Sequence, residues 1–151
     1  MHSLTEEEIS RRLNSFEKEC RRRGLRVTNQ RREIFKTVAS SRQHPSAEAV
    51  FSAVRKKMAN VSLDTVYRTL ASLEKMNLLI RVGTPEKERF DGDLRPHAHF
   101  ICTCCGEVYD VFPPAGTFQV PGALECGQVK RVNVQLKGIC KRCSCSAHGV
   151  I

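Results

Sequence analysis

Apolar residues recur at helical spacing through the first half of the chain and turn to short alternating runs in the second. Ile9, Leu13, Phe16 and Cys20 fall on one helical stripe behind Thr5-x-x-Glu8, which has the form of a capping box. Arg21, Arg22 and Arg23 suit the negative end of that helix, and Gly24 is a left-handed stop. Thr28 caps a second helix, with Ile34, Phe35 and Val38 inward, Arg31 and Arg32 exposed, and an end near Ser40-Ser41. After the loop His44-Pro45, Ser46 caps a third helix carrying Val50, Phe51, Val54 and Met58. A short break at Ala59-Asn60-Val61 precedes a fourth helix capped by Ser62, and two helices so closely joined resemble a helix-turn-helix.

Val66, Leu70 and Leu73 form the inward stripe of the fourth helix, leaving Asp64, Thr65, Tyr67, Arg68, Ser72 and Lys75 facing out. Thr65, Tyr67 and Arg68 lie near its N-terminal end, the part that enters the major groove in this motif. Asn77 ends the helix; residues 78–82 and 88–91 then read as two strands around a turn at 83–87, completing a winged helix. Gly92 to Pro96 has the composition of a linker. Residues 98–102 and 107–111 read as strands, and Pro113-Pro114 breaks the second. Residues 115–128 carry no clear pattern, while Val132, Val134 and Leu136 alternate as in a half-buried strand. The expected fold is α+β, an N-terminal winged helix-turn-helix domain (1–91), a hinge (92–97) and a small C-terminal α/β dimerisation domain (98–151).

Of the net charge of +9, +7 lies in residues 1–91, which points toward an anionic partner such as nucleic acid. No apolar run approaches the ~20 residues needed to span a bilayer, and Glu6-Glu7-Glu8 does not fit the start of a signal peptide. A soluble, cytoplasmic protein is therefore expected. In a reducing compartment eight cysteines arranged partly as CxxC pairs read as zinc ligands rather than disulfides.

Cys102-x-x-Cys105, a spacer of 34 residues and Cys140-x-x-Cys143 supply two chelating pairs, enough to close a tetrahedral structural Zn2+ site with no open position. Cys104 and Cys145 could each replace a neighbour. Cys20 reads as helix core, and Cys126 is either incidental or redox-active. His44, Asp91, His97, His99 and Asp110 form a second constellation, whose mixed nitrogen and oxygen donors suit Fe2+ or Mn2+ better than thiolates do. His97 and His99, two apart on a strand, present both rings to one face. Taken singly each has an ordinary alternative: a loop histidine before proline, an aspartate closing a strand, a solvated helix face for Tyr67 and Arg68. His2 and His148 read as solvated termini. A metalloenzyme and a zinc-ribbon adaptor are the competing classes; no general base stands outside the ligand set, and the exposed Tyr67 and Arg68 beside a wing disfavour an adaptor.

In order, the stretches Gly24-Leu25-Arg26-Val27-Thr28-x-x-Arg31, His44-Pro45-Ser46-Ala47, Val61-Ser62-Leu63-Asp64-Thr65-Val66-Tyr67-Arg68-Thr69-Leu70, Arg89-Phe90-Asp91, His97-x-His99-x-x-Cys102-x-x-Cys105-Gly106 and Gly138-x-Cys140-x-x-Cys143 resemble the ferric uptake regulator (Fur) family of bacterial metal-dependent repressors. The resemblance implies a homodimer, structural zinc on Cys102, Cys105, Cys140 and Cys143, and regulatory Fe2+ or Mn2+ on His44, Asp91, His97, His99 and Asp110. It also implies a palindromic DNA operator, read by Arg26, Thr65, Tyr67 and Arg68. Peroxide-sensing members carry Asp where this chain has Asp91 and Asp110, whereas iron-sensing members usually carry Glu. Ala98 stands where a further ligand aspartate would be. The resemblance thus implies a non-enzymatic repressor that senses peroxide by Fe2+-catalysed oxidation of His44 and His97, with an iron-responsive repressor as the alternative.

Overall fold

Four side-chain caps set the first half of the molecule. The computed structural model describes residues 4–147, so His2 and His148 lie outside the described residues. Thr5 Oγ1 accepts from Glu8 N at 3.2 Å, and Thr5 N donates to Glu8 Oε2 at 3.0 Å, completing the capping box of α1 (Glu6–Arg22). Thr28, Ser46 and Ser62 likewise cap α2 (Asn29–Ala39), α3 (Ala47–Arg55) and α4 (Leu63–Lys75). Two helices end in the same device. Gly24 (φ 67°) and Asn77 (φ 57°) turn left-handed, and the next residue donates back across the last turn, Leu25 N to Cys20 O at 2.8 Å and Leu78 N to Leu73 O at 3.0 Å.

The caps fix where each helix begins, and the apolar stripes fix how the helices pack. Phe16 of α1 stacks on Phe35 of α2, ring centroids 4.4 Å apart. Ile34, Val38, Val50, Val54, Val66, Leu70 and Leu73 fill the same fully buried core. Arg31 departs from its expected exposure: it is half-buried and its guanidinium donates to the Arg26 carbonyl, tying the α1–α2 loop to the start of α2.

Strands β1 (Ile80–Thr84) and β2 (Lys87–Asp91) form the wing, an antiparallel hairpin in which Thr84 faces Lys87. The connecting turn is thus tighter than the five-residue turn expected from the sequence. Gly83 belongs to the strand, at φ 98°, where an added Cβ would lie 2.4 Å from Lys87 O. Gly83→Ala is expected to destabilise this hairpin by about 1–3 kcal/mol, read as a lower urea midpoint without loss of helical circular dichroism at low denaturant.

The chain divides into two compact units between Leu94 and Arg95. The C-terminal unit is a three-stranded sheet in the order β4-β3-β7, from β3 (Ala98–Cys102), β4 (Val108–Val111) and β7 (Val134–Gly138). β4 pairs antiparallel to β3 and β7 pairs parallel to it. His97 directly precedes β3 rather than standing within it. Residues 115–128 hold turns and a minimal hairpin of β5 (Ala123–Leu124) and β6 (Gly127–Gln128). Val132 lies before β7, and both it and Leu136 are exposed, so of the expected half-buried alternation only Val134 shows that burial. A short helix, α5 (Lys141–Ala147), follows Cys140 and had no counterpart in the sequence pattern.

Candidate metal centres and DNA-reading helix

Parallel pairing of β3 with β7 brings the two CxxC turns together. Cys102 faces Gly138 across the ladder, so Cys140 follows just beyond the strand end. Thr103 N donates to Gly138 O at 2.8 Å and Gly106 N to Cys102 O at 2.9 Å, with Gly106 at φ 75° closing the first turn. The second pair sits at the start of α5, where Ser144 N donates to Cys140 O at 2.9 Å. The four sulfurs of Cys102, Cys105, Cys140 and Cys143 all lie within 4.8 Å of one another, and Cys105 and Cys140 are 3.9 Å apart. Sulfurs about 2.3 Å from a shared Zn2+ would be separated by about 3.8 Å, so the cluster fits that ion. Cys104 and Cys145 are exposed and stand outside the set; Cys20 is buried in the helical core and Cys126 is exposed.

Hydrogen bonds prepare these thiols for ligation. Backbone N–H groups of Cys105 and Cys140, the latter 3.3 Å from Cys102 Sγ, lower the Cys102 pKa to about 6. The Cys143 backbone N–H lowers that of Cys140, whereas Cys143, whose thiol donates to Cys140, is pushed up. Around them the Tyr109 phenol donates to Cys140 and the Arg142 guanidinium to Cys105, contacts that raise the pKa of both donors. Tyr109 and Arg142 were not singled out from sequence; their only signal is adjacency to Asp110 and Cys143.

The same strand carries a second cluster at its other end. His99 faces Asp110 across β3 and β4, and the His97 ring lies at 4.5 Å, centroid to centroid, from that of His99. His97 Nε2 is 3.1 Å from His99 Nε2 and 3.3 Å from Asp110 Oδ1, and His99 Nε2 is 3.5 Å from the same oxygen. Donor atoms about 2.1 Å from a common ion lie about 3.0–3.4 Å apart in octahedral or tetrahedral arrangements, so these three match a shared cation. His97 Nδ1 donates to Arg95 O at 2.6 Å, leaving the Nε2 lone pair directed at the cluster. Phe112 stacks on the His97 ring at 4.9 Å and lies beneath the Arg95 guanidinium at 5.0 Å.

In the N-terminal unit, His44 and Asp91 are both buried, with His44 Nε2 3.9 Å from Asp91 Oδ2. His44 adopts φ 50°, a costly conformation for a non-glycine residue, and Phe90 N donates to Pro45 O at 3.0 Å, pinning that loop to β2. Of the five expected regulatory ligands, His44 and Asp91 belong to the N-terminal unit and His97, His99 and Asp110 to the C-terminal one.

Among the expected DNA-reading residues, Tyr67 and Arg68 project from α4 into solvent, Tyr67 donating to Glu48 and Arg68 pairing with Asp64. Arg26 is exposed in the α1–α2 loop. Thr65 is half-buried, and its hydroxyl lies 2.8 Å from that of the cap residue Ser62, so it serves the helix terminus. Arg81 joins the wing to α4, pairing with Glu74 and Glu88, each at 2.8 Å. Glu48 and Arg81 were not anticipated, since neither belongs to a motif. No helix among the described residues is long and apolar enough to cross a membrane.

Comparison with known proteins gives one consistent answer. The sequence model of the ferric uptake regulator family matches residues 22–138. The chain is 28% identical over 140 residues to the peroxide-responsive repressor PerR of Staphylococcus epidermidis, covering 91% of this chain and 93% of that protein. Its fold is similar to that of the Helicobacter pylori ferric uptake regulator, with a TM-score of 0.70, 24% identity and coverage of 95% and 97% of the two chains. It is also similar to the manganese-containing ferric uptake regulator of Pseudomonas aeruginosa, with a TM-score of 0.63, 26% identity and coverage of 83% and 97%. A winged helix, a four-cysteine zinc cluster and a match over most of its length leave one conclusion: this chain belongs to the ferric uptake regulator family of metal-responsive repressors.

Proposed function

We propose that the protein is a cytoplasmic, homodimeric repressor that binds a palindromic operator when Fe2+ or Mn2+ is bound and releases it on exposure to peroxide. The observation that carries this reading is the convergence of His97 Nε2, His99 Nε2 and Asp110 Oδ1 within 3.5 Å, a donor set for a hard or borderline cation. His44 and Asp91 are taken as further ligands of the same ion on the strength of the family resemblance. Asp at positions 91 and 110 and the likeness to a protein named peroxide-responsive both favour peroxide over iron as the signal.

On DNA, Arg26 contacts phosphate while Tyr67 and Arg68 reach base edges or sugars. Tyr67 and Arg68 would exchange Glu48 and Asp64 for nucleic acid. Dimerisation through the C-terminal unit is supported by its exposed apolar side chains. Tyr109 and Leu136 flank Phe100 in register on one face of the sheet, and Phe118, Val120 and Leu124 are exposed nearby in sequence. When bound, Fe2+ would start cleavage of the peroxide O–O bond and recover its electron as the ring is oxidised, so that two electrons pass from ring to peroxide overall. His44 and His97 hold their rings where the resulting oxidant forms; the ring gains one oxygen, water is the other product, and a donor to the ion is lost.

A mobility-shift assay on a duplex bearing an AT-rich inverted repeat tests this. Zinc-loaded protein is expected to shift the duplex with Mn2+ or anaerobic Fe2+ and not without them, and H2O2 is expected to abolish the Fe2+ complex alone. Survival of the Fe2+ complex would establish the iron-responsive reading instead, and peroxide action without Fe2+ would move the sensor to the thiols.

A further inference from the structure

We infer that Arg12, on the first helix and far in sequence from every metal ligand, is a positioning residue for the regulatory centre: acting through Asp93, it sets the Asp91 carboxylate. The inference deepens the proposed function and rests on Asp91 being a ligand of that centre. Three contacts form the relay. Arg12 Nη2 pairs with Asp93 Oδ2 at 3.0 Å, and Arg12 Nη1 donates to the Ala39 carbonyl, at the end of α2, at 2.7 Å. The backbone N–H of Asp93 then donates to Asp91 Oδ1 at 2.8 Å. With Oδ1 held in this way, Oδ2 is the oxygen turned toward His44.

Two features separate this from an ordinary surface ion pair. The side chains of Arg12 and Asp93 are only 17% and 9% exposed, so the pair is weakly screened and its geometry is held. The backbone between the two aspartates is also wedged: an added Cβ on Gly92 would lie 2.8 Å from Ala39 Cα, so the strand end is pressed against the helix end that Arg12 grips. Arg12 therefore fixes the residue on each side of that contact, Ala39 by its carbonyl and Asp93 by its carboxylate. A ligand carboxylate hydrogen-bonded through its second oxygen is the usual means of orienting a metal ligand, and losing such support commonly costs about 10–100-fold in metal affinity.

Mn2+ titration calorimetry on the zinc-loaded full chain, with zinc content and the thermal midpoint of the Mn2+-free protein measured alongside, tests the relay. Arg12→Met keeps the aliphatic stem and removes the guanidinium; it is expected to weaken Mn2+ binding about tenfold with zinc retained. Arg12→Lys, which keeps a charge opposite Asp93, should recover part of that loss. Asp93→Asn should weaken Mn2+ binding like Arg12→Met, and the double variant should be no worse than either, because both act along one path. Unchanged Mn2+ affinity in Arg12→Met and Asp93→Asn, with a lower thermal midpoint, would make Arg12 a structural tie and overturn the inference. An Asp91→Ala protein that binds Mn2+ as tightly as the parent would overturn the ligand assignment itself, a separate failure on which the inference also falls.

Discussion

Replacing Cys102 with serine is expected to abolish zinc retention and to melt the C-terminal sheet while the helical unit stays folded. The asymmetry follows from where the apolar core lies. Every residue of the main hydrophobic cluster belongs to the N-terminal unit. Among the described residues of the C-terminal unit the buried apolar side chains are few, among them Ala98, Ile101 and Val108, and two more are Cys102 and Cys140 of the four-cysteine cluster. A sheet with so little buried surface depends on its metal, as small zinc domains do, where apparent binding free energies run to about 10–16 kcal/mol. Cys102 is the most damaging ligand to lose, because it ends β3 while its sulfur accepts the Cys140 N–H that anchors the second pair. Zinc analysis should fall from one ion per chain to none. Hydrogen exchange should report loss of protection in β3, β4 and β7 with α1–α4 still protected; retained protection in the sheet would show that packing alone sustains it. Acid acts on the same ligand. The lowered Cys102 pKa favours the ligating thiolate above about pH 6, so zinc uptake by the metal-free protein is expected to decline as pH falls through that value.

The helices were legible because their instructions are local. Each cap at Thr5, Thr28, Ser46 and Ser62 is a side chain bonding a backbone group three residues ahead, and each apolar stripe needs only one helix to be read. The wing turn was misplaced because a glycine at positive φ is common both in turns and inside distorted strands, and Gly83 is the second kind. The parallel partnership of β3 and β7 depends on residues more than thirty apart, and alternation in 132–136 says nothing about which strand it meets or which face stays wet. Helix α5 has no apolar period at all; its first turn is held by Cys140 and Cys143 at helical spacing, a pattern equally readable as a loop knuckle. The zinc cluster was legible from spacing alone, since two CxxC pairs leave few alternatives. The His/Asp set was suggested by donor type, but only the family resemblance argued for joining its members, which come from loops and strands of no shared period. Arg12 and Asp93 carry no motif, and their relation appears only once α1 and the end of β2 are placed side by side.

His99→Ala is expected to weaken Mn2+ binding by at least about 100-fold, beyond the effect of losing a supporting contact, and to abolish the DNA shift at Mn2+ levels that saturate the parent. Of the proposed ligands, His99 is the one for which a backbone explanation is weakest. Its strand is paired on both sides, by Asp110 of β4 and Gln135 of β7, so truncating the ring removes a nitrogen donor while the ladder keeps its register. The zinc cluster sits on the same strand, with Cys102 three residues on and thus about 10 Å away. Zinc content therefore serves as an internal control: a variant that keeps zinc and loses Mn2+ has lost only the regulatory centre. If His99→Ala keeps zinc, fails to bind Mn2+ and still shifts DNA, the ion does not control the operator, and repression would have to run through the zinc-bound fold alone. If it loses both metals, β3 is a single cooperative element whose two ends cannot be separated by mutation. The separable outcome is the one the geometry favours, because the sulfur cluster is tied to Gly138 and the start of α5 whereas the imidazole pair is tied to Arg95 and Asp110.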